Sequence, residues 1–221
     1  LQANFAAFMK PFSQWNKEEI EEEFGIHVDC NAPILHAWVS VLPMLCEHEI
    51  NLLRGLARKL LMYVHDWNEE ELKIYFLAFV LDMVDFYQAT YRPFLERELS
   101  VNYGTDKRLW GVVDFVVASG KQNPKKPFFF LHEYKKQLDR SNDPLGQLLA
   151  AMVAAQIANS NQHPTYGAYI IGRHWYFVVL EGNVYAESLA YDATKDDIFN
   201  IVAILRDTKN RIDQLSKSVT T

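Results

Sequence analysis

The 221-residue sequence predicts an α/β protein of mixed-sheet type: a helical front region, a core in the order helix, three strands, helix, strand, a strand meander after it, and a closing helix. Three observations predict this. Apolar residues recur at helical spacing, behind recognisable caps, through the first 95 residues. The period then shortens to that of strands in three consecutive runs separated by polar turns. After them come a capped helix of small residues, three more strand-like runs and a final amphipathic stretch. The expectation is one domain over 1–221, made of a helical region 1–95, an α/β core with its meander 96–192, and a C-terminal helix 193–221.

Each element has a local cause. In "NKEEIEEEFGI", Asn16 stands three residues before Glu19 and Gly25 follows, so a short capped helix spans about 17 to 24, with its glutamates facing water. "ILHAWVSVLPMLCEHEINLLRGLARKLLMYV" is helical on both sides of Pro43. Asn68 and Glu71 open a longer helix whose Leu72, Phe76, Phe79, Met83 and Tyr87 form a stripe, and Pro93 kinks or restarts it. "LSVNYG", "LWGVVDFVVAS" and "PFFFLHEYKK" are the three strands. Alternation along the last puts Phe129, Leu131, Glu133 and Lys135 on one face and Phe128, Phe130, His132, Tyr134 and Lys136 on the other. In "NDPLGQLLAAMVAAQIAN", Asp143 caps, Pro144 takes the first helical position, and Gln147, Ala150 or Ala151, Ala154 and Ala158 make a face able to lie close on a sheet. "YGAYIIG", "WYFVVLEGN" and "VYAES" form the meander, and a helix from about 194 to 217 closes the chain.

Composition narrows the function. No apolar run approaches the ~20 residues that span a bilayer, and the first residues lack the order of a signal peptide, so a cytoplasmic protein without a membrane partner is expected. Cys30 and Cys46 fit no zinc or disulfide spacing and are expected to be buried thiols. The formal charge is −6, but residues 1–100 hold 8 basic against 16 acidic side chains while residues 104–140 hold 8 against 4. The front region is thus an acidic surface suited to a protein partner. The segment around the third strand is locally basic, with Lys121, Lys125 and Lys126 in the preceding turn offered to a phosphate backbone.

Two sites interrupt otherwise apolar strands. Asp114 sits in "VVDFVV", and Glu133 with Lys135 follows "PFFFL" in the next strand. A buried carboxylate without a partner costs several kcal/mol, so such groups pair or hold a metal. Consecutive strands joined by a short loop pair antiparallel, which brings Asp114 beside Glu133 with a lysine at hand. A hard divalent ion with oxygen ligands, Mg2+ first and Mn2+ second, suits the two carboxylates. The same residues also suit structural ion pairs. "CEHE" at 46–49 points its consecutive side chains apart on a helix, His132 points away from Glu133 as a packed strand-end histidine, and His174 sits in a tight turn with no evident partner.

With these residues in this order, the sequence resembles the PD-(D/E)XK nuclease superfamily over about residues 90–172. The resemblance implies a restriction-endonuclease-like core and Mg2+-dependent hydrolysis of phosphodiester bonds in nucleic acid, DNA ahead of RNA. It implies that Asp114 and Glu133 bind the metal, that the backbone carbonyl of Tyr134 adds a ligand, and that Lys135 assists the nucleophile. A glutamate on the first core helix falls to Glu96, ahead of Glu98. Val113 stands where the family name writes proline. Gln147 matches the start of the Gln-x-x-x-Tyr motif of RecB-like members, but Ala151 stands at the tyrosine position. The other function expected from the same residues is a noncatalytic module of this fold that binds nucleic acid or a protein.

Overall fold

Capping chemistry starts the helices where the sequence predicts. In the computed structural model, which describes residues 9–135, 143–160 and 163–218, the Asn16 side chain accepts from the Glu19 N–H at 2.9 Å and Glu19 accepts from the Asn16 N–H at 3.1 Å. This box opens α1 (Lys17–Phe24), which Gly25 ends at φ 64°. α2 (Pro33–Val39) and α3 (Glu47–Tyr63) lie on either side of Pro43. Asn68 and Glu71 form a second reciprocal box at the start of α4 (Glu69–Leu72). A π-helical segment, Lys73–Leu77, then leads into α5 (Ala78–Val84). The wide turn adds a residue to the helical count, so the buried stripe is Leu72, Phe76, Leu77, Val80 and Val84, while Phe79 is 50% exposed. The expected continuation of the stripe through Phe79 fails for that reason.

Among the described residues the sheet has nine strands, with mixed pairing. β3 (Arg92–Tyr103), β4 (Lys107–Ser119) and β5 (Lys125–Lys135) run antiparallel in sequence. α6 (Pro144–Ala158) crosses over to β6 (Thr165–Ile171), which lies parallel to β5. β7 (His174–Glu181) and β8 (Val184–Glu187) continue the meander, and β9 (Tyr191–Asp192) pairs with β7. The front region also contributes to the sheet. β1 (Met9–Pro11) lies parallel to β4 and β2 (His27–Val28) parallel to β8, so residues 1–95 are not wholly helical.

Residues 92–103 form the edge strand β3, not a restarted helix. Asp85 takes a left-handed conformation directly after Val84 and stops the helix, and eleven cross-strand pairs to β4 outweigh the helical propensity of "FLEREL". Pro93, which lacks an N–H, is tolerated on an edge. The expected boundary between 95 and 96 therefore falls inside a strand.

Helices cover both faces of the sheet. α2, α3, the α4–α5 helix and α7 (Asp197–Ser218) share one core with Phe115, Phe130, Tyr134 and Phe177. α1 and α6 share the other with Val113, Val116, Leu131 and Tyr185. α6 is buried nearly all round rather than along one face. Asp143 caps it, accepting from the Gly146 N–H at 3.0 Å, and its other oxygen accepts from the Lys17 N–H at 2.7 Å. A Cβ at Gly146 would lie 2.5 Å from the Asn16 carbonyl carbon, so the close approach of α1 requires glycine there. Both cysteines are exposed, against expectation: Cys46 caps an exposed helix start and Cys30 lies in a surface turn. Among the described residues no helix is long and apolar enough to cross a membrane.

Candidate active site

Strand irregularities build this site. Along β5 the β4 partner of Phe130 is Val117 but that of Phe128 is Ala118, so Phe129 is an extra, bulged residue. The bulge breaks the expected alternation: Phe129 and Phe130 enter the same core, while Phe128 and Leu131 enter the other. From Phe130 onward alternation resumes. It puts Glu133 and Lys135 on the Leu131 side and His132 and Tyr134 on the Phe130 side.

A second irregularity lies at Asp114. Leu109 and Val113 face the same core as Val116 and Ala118, so β4 changes phase between 113 and 116. Opposite, Glu96 has φ 50° and interrupts the β3–β4 ladder between the pairs Leu95↔Phe115 and Arg97↔Val113. The β4–β5 ladder is last paired at Phe115↔His132. One step on, the Asp114 carboxylate takes over as acceptor and receives the Tyr134 N–H at 2.9 Å. The two strands thus part at Asp114 and Glu133, leaving both carboxyl groups at the opening.

Glu133 is 3% exposed and accepts from Lys135 Nζ at 2.8 Å. Burial first, and the charge of Asp114 second, push its carboxyl up to about 8, with Lys135 only partly offsetting them. Burial disfavours the Lys135 ammonium, but the charge and hydrogen bond of Glu133 outweigh it and hold Lys135 above its usual value. Lys135 is therefore a firm cation, and Glu133 is a carboxyl held largely protonated near neutral pH.

Sequence reasoning missed the lysine that sits on Asp114. Lys73, at the start of the π segment, places Nζ 2.8 Å from Glu96, 3.2 Å from both Asp114 and Glu70, and 3.5 Å from Glu69. Burial would push this ammonium down, yet the hydrogen bond to Glu96 and the charge of Asp114 raise it. Its sequence signal was only the i,i+4 spacing from Glu69, which reads as a surface helix pair. Glu96 is in the cluster, but on a strand and 57% exposed, not on the first core helix as expected. The helix glutamate beside Glu133 and Lys135 is Glu69, whose charge acts on both. Glu98 instead pairs with Arg108.

The other candidates separate from this centre. Gln147 is buried on α6, and among the described residues no hydrogen bond links it to Asp114, Glu133 or Lys135. Glu49 of "CEHE" closes the cap of α3 and pairs with Arg206. His132 packs its ring against Phe115 and Trp175, and burial together with the charge of Lys73 pushes it down to about 3, so the imidazole is neutral. Lys121, Lys125 and Lys126 are exposed at the far end of the β4–β5 hairpin, about 26 Å of strand from Glu133.

Among the described residues no group of three or more His, Cys, Asp or Glu side chains could hold a metal ion. The donor set still fits Mg2+, which takes one or two carboxylates and completes its shell with water and phosphate oxygens. Asp114 and Glu133 supply such oxygens, and the raised Glu133 marks a place short of positive charge. A scan against models of known protein families gives no match to this chain, and a search of curated proteins gives none either.

Proposed function

We propose that the chain is a Mg2+-dependent nuclease acting on DNA, built on the restriction-endonuclease-like arrangement of the PD-(D/E)XK superfamily. The α4–α5 helix, β3, β4, β5, α6 and β6 follow the helix, three strands, helix, strand order that this reading needs. The observation that carries it is that Asp114, which accepts the Tyr134 N–H where β4 and β5 part, lies near enough for its charge to act on both Glu133 and Lys135. Asp114, Glu133 and the Tyr134 carbonyl would hold the ion. Bound there, Mg2+ supplies positive charge to the phosphate and lowers the pKa of a water. Lys135, fixed by Glu133 on a rigid strand, orients the attacking water and offsets the charge that develops on the phosphoryl oxygens. Glu69 takes the place on the first helix that the sequence reading gave to Glu96.

The noncatalytic reading also has a specific support: Asp114 and Glu133 each already have a lysine partner, Lys73 and Lys135. One experiment separates the two. Purified protein is assayed on single- and double-stranded DNA and RNA with Mg2+ or Mn2+, beside Lys135→Ala. A nuclease cleaves DNA, and the variant loses on the order of 100-fold in rate while keeping metal binding. No cleavage by the wild type, with Lys135→Ala merely less stable, assigns the chain to the binding module.

A further inference from the structure

The cluster of Lys73 with Glu70, Glu96 and Asp114 forms one end of a cavity of about 370 Å3 that opens between the π segment, α5 and the β3–β4 pair. We propose that this cavity binds a planar, uncharged heteroaromatic ring of the nucleobase class. The ring site stands on its own geometry, and only the placing of a substrate strand's base in it rests on the nuclease reading.

Size, lining and charge together bear on this choice. Small-molecule sites span ~300–1,000 Å3, so this one is large enough for a ring with its sugar and too small for a helix or an extended peptide. Leu77, Leu81, Phe86, Pro93 and Phe115 make its walls apolar. At its mouth Ile74, Tyr87 and Leu95 are 61%, 68% and 59% exposed, an apolar rim left facing water. Two polar side chains line it from below, His132 at 3% and Tyr134 at 0% exposure. Among the described residues neither His132 Nε2 nor the Tyr134 hydroxyl has a hydrogen-bond partner. Buried polar groups are almost always satisfied, and these two are closed over in the cavity as it stands, so a ring's edge reaches the nitrogen and the hydroxyl by turning aside the wall side chains above them. Among the described residues Glu70, Asp82, Asp85, Glu96 and Asp114 line the cavity against the single ammonium of Lys73, which excludes an anion. A nucleotide would therefore enter ring first, its phosphate remaining outside near Asp114 and Glu133.

The test follows the His132 imidazole by NMR in protein carrying 13C-labelled histidine, the signal assigned with His132→Phe. Adenosine, cytidine and thymidine are titrated to ~20 mM without metal. A saturable shift of His132, lost in Ala78→Trp, is the expected result: Ala78 is exposed on the cavity wall, and an indole there fills the space without touching a core. No shift with any nucleoside, or a shift only with a cationic ring such as benzylamine, overturns the proposal. A second arm identifies the source of the ring. If the base belongs to the substrate strand, one abasic position in a DNA substrate and Ala78→Trp each lower kcat/KM at least ~10-fold, and together no further. Cleavage indifferent to both, with the shift intact, assigns the site to a free nucleoside. A His132 shift in a protein that cleaves nothing sustains the ring site while the nuclease reading fails.

Discussion

If Glu133 is a metal ligand, divalent-ion binding must expel a proton, and the amount follows from its carboxyl being pushed up to about 8. At pH 7 such a group is ~90% protonated, so binding one Mn2+ should release ~0.9 proton, falling to ~0.5 at pH 8 and ~0.1 at pH 9. Affinity should climb ~10-fold per pH unit from 5 to 7 and level off above 8. Calorimetry in two buffers of different ionisation enthalpy counts the proton directly. Glu133→Gln should remove both the release and the pH slope. Asp114→Asn should shrink the release at pH 7, since Asp114 is the second cause of the raised value. The linked stability has a definite sign. The folded value lies above the ordinary carboxyl value of 4.5, so the native state binds the proton more tightly. That stabilisation is fully present below pH 4.5 and is lost as pH rises through about 8. Metal-free protein should therefore melt lower at pH 9 than at pH 6, and saturating Mn2+ should narrow the gap. Tight binding with no proton release and a flat pH profile would refute the assignment of Glu133 as a ligand.

Two further outcomes follow from the lysines. Lys73→Met should lower the metal-free melting temperature by ~5 °C, as a loss of about 2 kcal/mol implies for a chain of this size, because Asp114 and Glu96 lose their counter-ion. It should also raise Mn2+ affinity by removing the competing ammonium; melting and affinity both unchanged would show that Lys73 does not hold the centre together. Replacing Lys121, Lys125 and Lys126 together should weaken binding of a 20-base-pair duplex and flatten its salt dependence, yet leave a 6-base-pair duplex unaffected, given the ~26 Å between these lysines and Glu133. Equal salt slopes for the long duplex return them to a solubilising turn.

The legible parts of the fold were those governed by neighbours in sequence. A helix cap spans four residues, so Asn16, Asn68 and Asp143 announced their helices. Asp114 and the Glu133–Lys135 pair were legible because a charge inside an apolar run is anomalous in any fold. What escaped depended on long-range pairing. "FLEREL" has ordinary helical propensity, and only β4 makes it a strand. Phe128, Phe129, Phe130 and Leu131 are all apolar, so a bulge leaves no mark on their pattern. The π segment shifts a stripe by one residue, which no periodicity over "KIYFLAFVL" distinguishes from a regular helix. Lys73 was invisible for a combined reason: its nearest partners in sequence are glutamates, while the contacts that matter, Glu96 and Asp114, lie 23 and 41 residues away.

The two lysines of the centre are held in different ways, and this bears on the order of events in the proposed reaction. Lys135 ends β5, where it pairs with Ile171 of β6, and its ammonium is held by Glu133. Lys73 opens the π segment and contacts carboxylates from α4, β3 and β4 at once. Among the described residues Glu69, Glu70, Glu96 and Asp114, with Glu133 held largely protonated near neutral pH, face the two ammoniums of Lys73 and Lys135. Such a centre repels a phosphate until further positive charge enters. On the nuclease reading the divalent ion therefore precedes the nucleic acid. Asp114 and Glu133 would hold the ion, its charge would take the place of the Lys73 ammonium at Asp114, and Lys135 would stay paired with Glu133 beside the phosphate.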